Sequence, residues 1–174
     1  MTEENTSAPV AGAEPQQANA PTFAIQRIYL KDISFETPMG TETFIKPVKP
    51  QIQQDLNIQV NQLNEELLEV VLLLTITAKA ENRTVFLVEV KQAGLFNVVG
   101  FEGAQLTQVI NTTCPQILFP YAREAIDSIL TRGGFPPLML APINFDAVFV
   151  QAVQVARQQA NAEKSAAPEE TAAN

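Results

Sequence analysis

The chain has 174 residues, 46% of them apolar and 17% charged, and a net charge of −8 from 19 acidic and 11 basic side chains. That is enough chain and enough apolar content for one ordinary domain with a real core. The six lysines and five arginines are scattered, which argues against nucleic-acid and anionic-membrane binding, where a basic patch replaces counterions. A surplus of acid instead favours a basic partner.

Residues 1–20, MTEENTSAPVAGAEPQQANA, have almost nothing to bury and are expected to form a disordered acidic tail. Glu3 and Glu4 stand where a signal peptide would carry basic residues, and no apolar stretch follows. The longest unbroken apolar run, VVLLL at 70–74, is too short to span a bilayer. A single cysteine, Cys114, rules out an internal disulfide. Together these predict a cytoplasmic protein with no direct membrane insertion.

Residues 23–36 read as a strand. Its end, KDISFE, sets Asp32, Ser34 and Glu36 on one face and Ile33 and Phe35 on the other. The segment 36–50, with one glycine and three prolines, is expected to be a long crossover loop. The stretch 52–60 alternates, with Ile52, Leu56, Ile58 and Val60 on one face. The stretch 67–78 is β-branched and apolar on both faces at its centre, so cover on both sides is expected there. A hairpin-length connection, AENR, leads to a fourth strand over 84–90. With no helical segment between them, the four strands suggest an antiparallel meander.

Gly94, Gly100 and Gly103 then read as turns between the sheet and the helices, since no GK[ST] follows to make a phosphate loop. From Ile117 the apolar positions 117, 118, 121, 122, 125, 126, 129 and 130 form a helical stripe. Pro120 means that this helix is either kinked there or starts there, and Gly133 is expected to cap its C-terminus. After the loop FPPLMLAPI, Asn144 can cap a second helix that carries Phe145, Val148, Phe149, Ala152 and Val153 on one face. Residues 158–174 read as a second disordered tail, leaving an ordered domain over 21–157. Strands first and helices after predict an α+β fold, with helices on one face of the antiparallel sheet.

The chemistry that is missing narrows the function. No histidine is present, which removes histidine bases, Ser-His and Cys-His nucleophile pairs and most zinc sites. None of the four serines lies in a nucleophile-elbow setting. Asp32 and Glu36 would stand roughly 13 Å apart along a strand at about 3.3 Å per residue, too far for a glycosidase pair. Cys114 reads as a buried, inert thiol. No enzymatic activity, cofactor or metal is expected.

Three stretches carry a resemblance: FAIQRIYLKDISFETP at 23–38, CPQILFPYARE at 114–124 and GGFPPLMLAPINFDAVF at 133–149. In this order they resemble the SecB family of protein-export chaperones, over about residues 23–155. The resemblance implies a four-stranded antiparallel sheet with a long and a short helix on one face, assembled as a homotetramer, a dimer of dimers with helices sandwiched between outward-facing sheets. It implies an ATP-independent chaperone that holds unfolded precursor proteins for export and delivers them to the translocation ATPase SecA. Matched residue by residue, it gives the SecA-binding role to Asp32, Glu36, Leu87 and Glu89. It places client binding at Phe44, Val48, Leu138, Leu140 and Phe149, in a groove between the crossover loop and the last helix. Many relatives carry a tryptophan where Val48 stands, and often a glycine pair where this chain has Ala93-Gly94. The alternative is a structural homo-oligomeric interaction protein without client-holding activity.

Overall fold

The structure, a computed structural model, describes residues 20–46 and 48–166. Residues 1–19 of the expected tail at 1–20, and residues 167–174 of the expected tail at 158–174, lie outside the described residues. In chain order the elements are β1 (Thr22–Glu36), α1 (Glu42–Ile45), β2 (Gln51–Gln62), β3 (Leu67–Ala80), β4 (Arg83–Val99), α2 (Gly103–Asn111), α3 (Thr113–Arg132) and α4 (Phe145–Ala166).

The strands form one antiparallel sheet in the order β1-β4-β3-β2. Only β2, β3 and β4 are a meander. The crossover after β1 carries the chain to the far edge, so β1 pairs with β4 in a Greek-key order rather than with its neighbour in sequence. The β3–β4 hairpin closes through Glu81 and Asn82, both in the left-handed region at φ 51° and 61°, the conformation of a two-residue type I′ turn.

One face of the sheet is packed. The even-numbered side chains of β3 and β4, among them Leu72, Leu74, Ile76, Val88, Val90 and Phe96, are fully buried or nearly so. They meet Cys114, Leu118, Phe119, Ala122, Ile126 and Leu130 of α3 in a single core. The expected helix beginning or kinking at Pro120 in fact starts at Thr113, and Pro120 lies inside it. The carbonyl that Pro120 cannot serve belongs to Gln116, which is exposed. Gly133 is the C-cap, its N–H bonded to the carbonyl of Ile129, and Gly134 takes the left-handed position after it at φ 83°.

Three further expectations change. β4 runs on to Val99, so Gly94 lies within a strand, whereas Gly100 and Gly103 do mark the turn into α2. A Cβ on Gly94 would come within 2.6 Å of the Phe96 ring and 3.0 Å of Leu118, so close packing of the helix on the sheet requires glycine there. α2 is an additional helix whose Leu106, Val109 and Ile110 pack half-buried against the core. α4 continues to Ala166, past the expected domain boundary at 157. Asn144 caps it through a 3.0 Å bond from the Ala147 N–H to its Oδ1. On α4, Phe145 is buried and Phe149 and Val153 are half-buried, whereas Val148 and Ala152 face outward.

The other face of the sheet carries no helix, and a polar tie spans it. Glu69 on β3 is only 7% exposed. Lys31 reaches it from β1 with contacts of 2.7 and 2.9 Å, and Tyr29 donates to it as well. Asn61 on β2 donates at 2.7 Å. Tyr29 and Lys31 must cross β4 to get there, and the residue opposite Tyr29 on β4 is the small Ala93. Ala93 and Val71 are fully buried on this face. The bonds from Lys31, Tyr29 and Asn61 hold the Glu69 carboxyl down at about 2, against the desolvation that opposes them, and the same contact pushes the Tyr29 hydroxyl up to about 12.

A carboxyl lowered in the folded state contributes stability that is present above its ordinary value and lost as pH falls through its folded one. Glu69→Gln is therefore expected to cost about 1–3 kcal/mol at pH 7. In urea unfolding the gap between parent and variant should narrow as pH drops from about 4.5 towards about 2. A gap independent of pH would contradict this role.

Candidate functional site

The two faces of the sheet present two surfaces of opposite chemistry. On the uncovered face, β1 and β4 register Asp32 against Lys91, Ser34 against Glu89 and Glu36 against Leu87. Asp32, Glu36, Leu87 and Glu89 therefore lie together on adjacent strands, at the end of the sheet away from Glu69. Asp32 and Glu36 are exposed; Leu87 and Glu89 are half-buried. A β-bulge between Leu30 and Asp32 sets this phase, keeping Ile33 and Phe35 on the packed side.

Lys91, which the sequence reading passed over, stands inside this acidic group. Its Nζ is 3.0 Å from an Asp32 oxygen and 3.5 Å from a Glu89 oxygen. Asp32, followed by Glu89, raises the ammonium above the ordinary lysine value. The patch thus carries three carboxylates and one cation of its own. Exposed pairs of this kind add little to stability.

On the helix side, the crossover and the loop after α3 enclose an open cavity of about 520 Å³. Phe44 and Val48 line it from the crossover, Ile52 from β2, Phe86 from β4, and Phe135 and Leu138 from the loop. Phe135 is its hub, with ring centroids 4.9 Å from Phe86, 5.2 Å from Phe44 and 6.1 Å from Phe35. Phe44 and Ile45 on α1 stand 57% and 78% exposed, although both are large and apolar. Glu42 anchors α1, pairing with Lys46 at 3.1 Å and with Arg83 at the start of β4 at 2.8 Å. Arg83 and then Lys46 hold its carboxyl below the usual range.

Of the residues expected to form a client groove, Phe44, Val48 and Leu138 do meet in this cavity. Leu140 and Phe149 do not line it. Leu140 is 8% exposed and belongs to the core, because the backbone turns over between it and Leu138; Phe149 packs half-buried on α4. Phe86 and Phe135 are the aromatic residues that sequence reasoning missed. Phe135 stands in the quoted GGFPP stretch, but nothing in a lone phenylalanine distinguishes a groove lining from a core residue.

Among the described residues no group of three or more His, Cys, Asp or Glu side chains could hold a metal ion. Cys114 is buried, and burial pushes its thiol up to about 12, which keeps it protonated and unreactive. Among the described residues no helix is long and apolar enough to cross a membrane.

Comparison with known proteins agrees with this architecture. The chain is 73% identical over 150 residues to the protein-export protein SecB of Cellvibrio japonicus, covering 86% of this chain and 90% of that one. It is 52% identical over 158 residues to the protein-export protein SecB of Saccharophagus degradans, covering 90% and 94%. A solved SecB-like chaperone of Mycobacterium tuberculosis, in complex with a ChAD peptide from an antitoxin, shares the fold with a TM-score of 0.57 at 21% identity, over 70% of this chain and 90% of that one. Residues 16–156 match the family model described as preprotein translocase subunit SecB, and the chain belongs to the SecB family.

Proposed function

We propose that the protein is an ATP-independent chaperone that holds unfolded precursor proteins in the aromatic cavity and hands them to SecA, which docks on the acidic sheet face. The observation that carries this reading is an open apolar groove, with Phe44 and Ile45 exposed at its rim, on a protein of a protein-export family. Unfolded clients expose apolar segments, and burying them gains about 25 cal/mol per Å². Contacts of this kind tolerate many sequences. Its described lining is mainly apolar and aromatic, which supports binding.

Assembly as a homotetramer, a dimer of dimers, belongs to the same reading. α3 packs on the sheet with one side only; Tyr121 on its other side is exposed. Ile25 and Leu30 of the edge strand β1 are about half-exposed, although both lie on the helix side of the sheet. These unburied apolar side chains support burial against further copies. Several grooves on one tetramer raise the effective concentration of each for a long client. The cytoplasm is the compartment in which such clients meet SecA. The chaperone unit is assigned to residues 21–157, with α4 extending beyond it.

Native mass spectrometry at micromolar concentration should therefore give four times the 19.0 kDa chain mass; a monomer would contradict the assembly. In the same samples, a slow-folding precursor should be held at stoichiometric levels without nucleotide. Phe44→Ala should weaken holding severalfold at little cost in stability, because Phe44 is exposed. Leu140→Ala should instead cost about 2–5 kcal/mol of stability. Unassisted refolding rates in the presence of the parent would favour the alternative, a homo-oligomer that merely seals its own interface.

The docking surface is tested by charge. Asp32→Asn, Glu36→Gln and Glu89→Gln should leave stability within about 0.5 kcal/mol and keep client holding. Each should weaken SecA binding at low salt, with the loss shrinking as salt rises. Leu87→Ala should weaken SecA binding with little change in its salt dependence. Lys91→Gln removes the internal cation and should strengthen binding severalfold at low salt. Charge variants that bind SecA like the parent would sink the docking assignment.

A further inference from the structure

The loop between α3 and α4 has to present Leu138 to the cavity, Met139 to solvent and Leu140 to the core, three successive residues in three environments. Pro136 and Pro137 lack backbone donors, so the N–H groups of Leu138 and Met139 are the first after them that can fix the loop. Both go to one atom. Oδ1 of Asp127, five residues before the end of α3 at Arg132, accepts from Leu138 N at 2.9 Å and from Met139 N at 3.1 Å. Met139 sits at φ 48°, in the left-handed region that an unbranched L-residue enters only under constraint, and it is 67% exposed, so no packing of its own side chain holds it there.

We propose that Asp127 is the positioning residue of the client groove: it clamps the loop in the one phase that turns Leu138 into the cavity and Leu140 into the core. The inference rests on the groove being the client site. Without the clamp the left-handed residue relaxes and Leu138 leaves the lining, while Phe135 stays tied to α3 by its own N–H bond to the Leu130 carbonyl at 2.9 Å. The groove then keeps its aromatic hub and loses its aliphatic side. The clamp needs an acceptor at this position more than it needs a charge, since both donors are neutral amides.

The experiment uses the full chain, with reduced, carboxymethylated α-lactalbumin as a client that cannot refold. Hydrogen exchange at the Leu138 and Met139 amides is read beside client affinity. Asp127→Ala should speed exchange at both amides and raise the client Kd on the order of tenfold. Asp127→Asn, which keeps Oδ1, should restore both to within about twofold. Asp127→Ser, polar but too short to reach the loop, should behave like Asp127→Ala and serves if the alanine variant fails to assemble. SecA binding should be unchanged throughout, because that surface lies across the sheet; a general loss of structure would lower it too. Unchanged amides, an unchanged Kd in both truncations, or an asparagine variant as weak as alanine would each overturn the inference. A parent that does not hold the client would sink the groove reading and this inference with it, whereas a parent and alanine variant that hold it equally sink only the inference.

Discussion

Everything in this structure depends on one row of contacts, the alternate side chains of β3 and β4 lying under α3. Because strand side chains alternate, burying Val88, Val90 and Phe96 against Leu118, Ala122 and Ile126 commits Leu87, Glu89, Lys91 and Ala93 to the opposite face. That row therefore fixes which residues form the acidic surface as firmly as it fixes the core. A register slip of one residue would exchange the two sets, and the buried apolar row makes such a slip prohibitive.

The division has a mechanical consequence. On the proposed assignment a client in the groove would touch α1, the start of β2 and the loop after α3, whereas a partner on the open face would touch β1 and β4. On that assignment both ligands would be bound at once, with no direct competition for the groove. The forces also differ in kind. In this proposal apolar burial would hold clients loosely and without sequence, while charge on the open face would govern how fast a basic partner arrives and how salt alters it. The Glu69 tie braces the open face: side chains reach one carboxylate of β3 from β1 across β4 and from the neighbouring β2.

Much of this is legible in the sequence, for physical reasons. KDISFE displays its two faces because a half-buried strand must alternate, and its acids are found on the open face. The stripe of α3 is equally plain, since a helix on a sheet needs an apolar row of its own. Strand order is not legible: the crossover at 36–50 does not encode which edge it reaches, and the chain chooses the far one. The second half of β4 hides behind Gly94, which resembles a turn when read alone but is a contact point for Phe96 and Leu118. α2 has only the weak spacing of Leu106, Val109 and Ile110 among polar residues. At the groove, Leu138 and Leu140 look alike in sequence, and only the loop backbone separates lining from core. Asp127 gives no sign at all, because its partners are backbone amides 11 and 12 residues away.

The central claim is that one sheet keeps client and partner on opposite sides. It is tested most directly by mapping hydrogen exchange over the full chain, first with an unfolded precursor and then with SecA. The account predicts that the precursor slows exchange around residues 43–52 and 134–138 and leaves the open-face ends of β1 and β4 as they were, and that SecA does the reverse. Protection of the same strands by both ligands would contradict it.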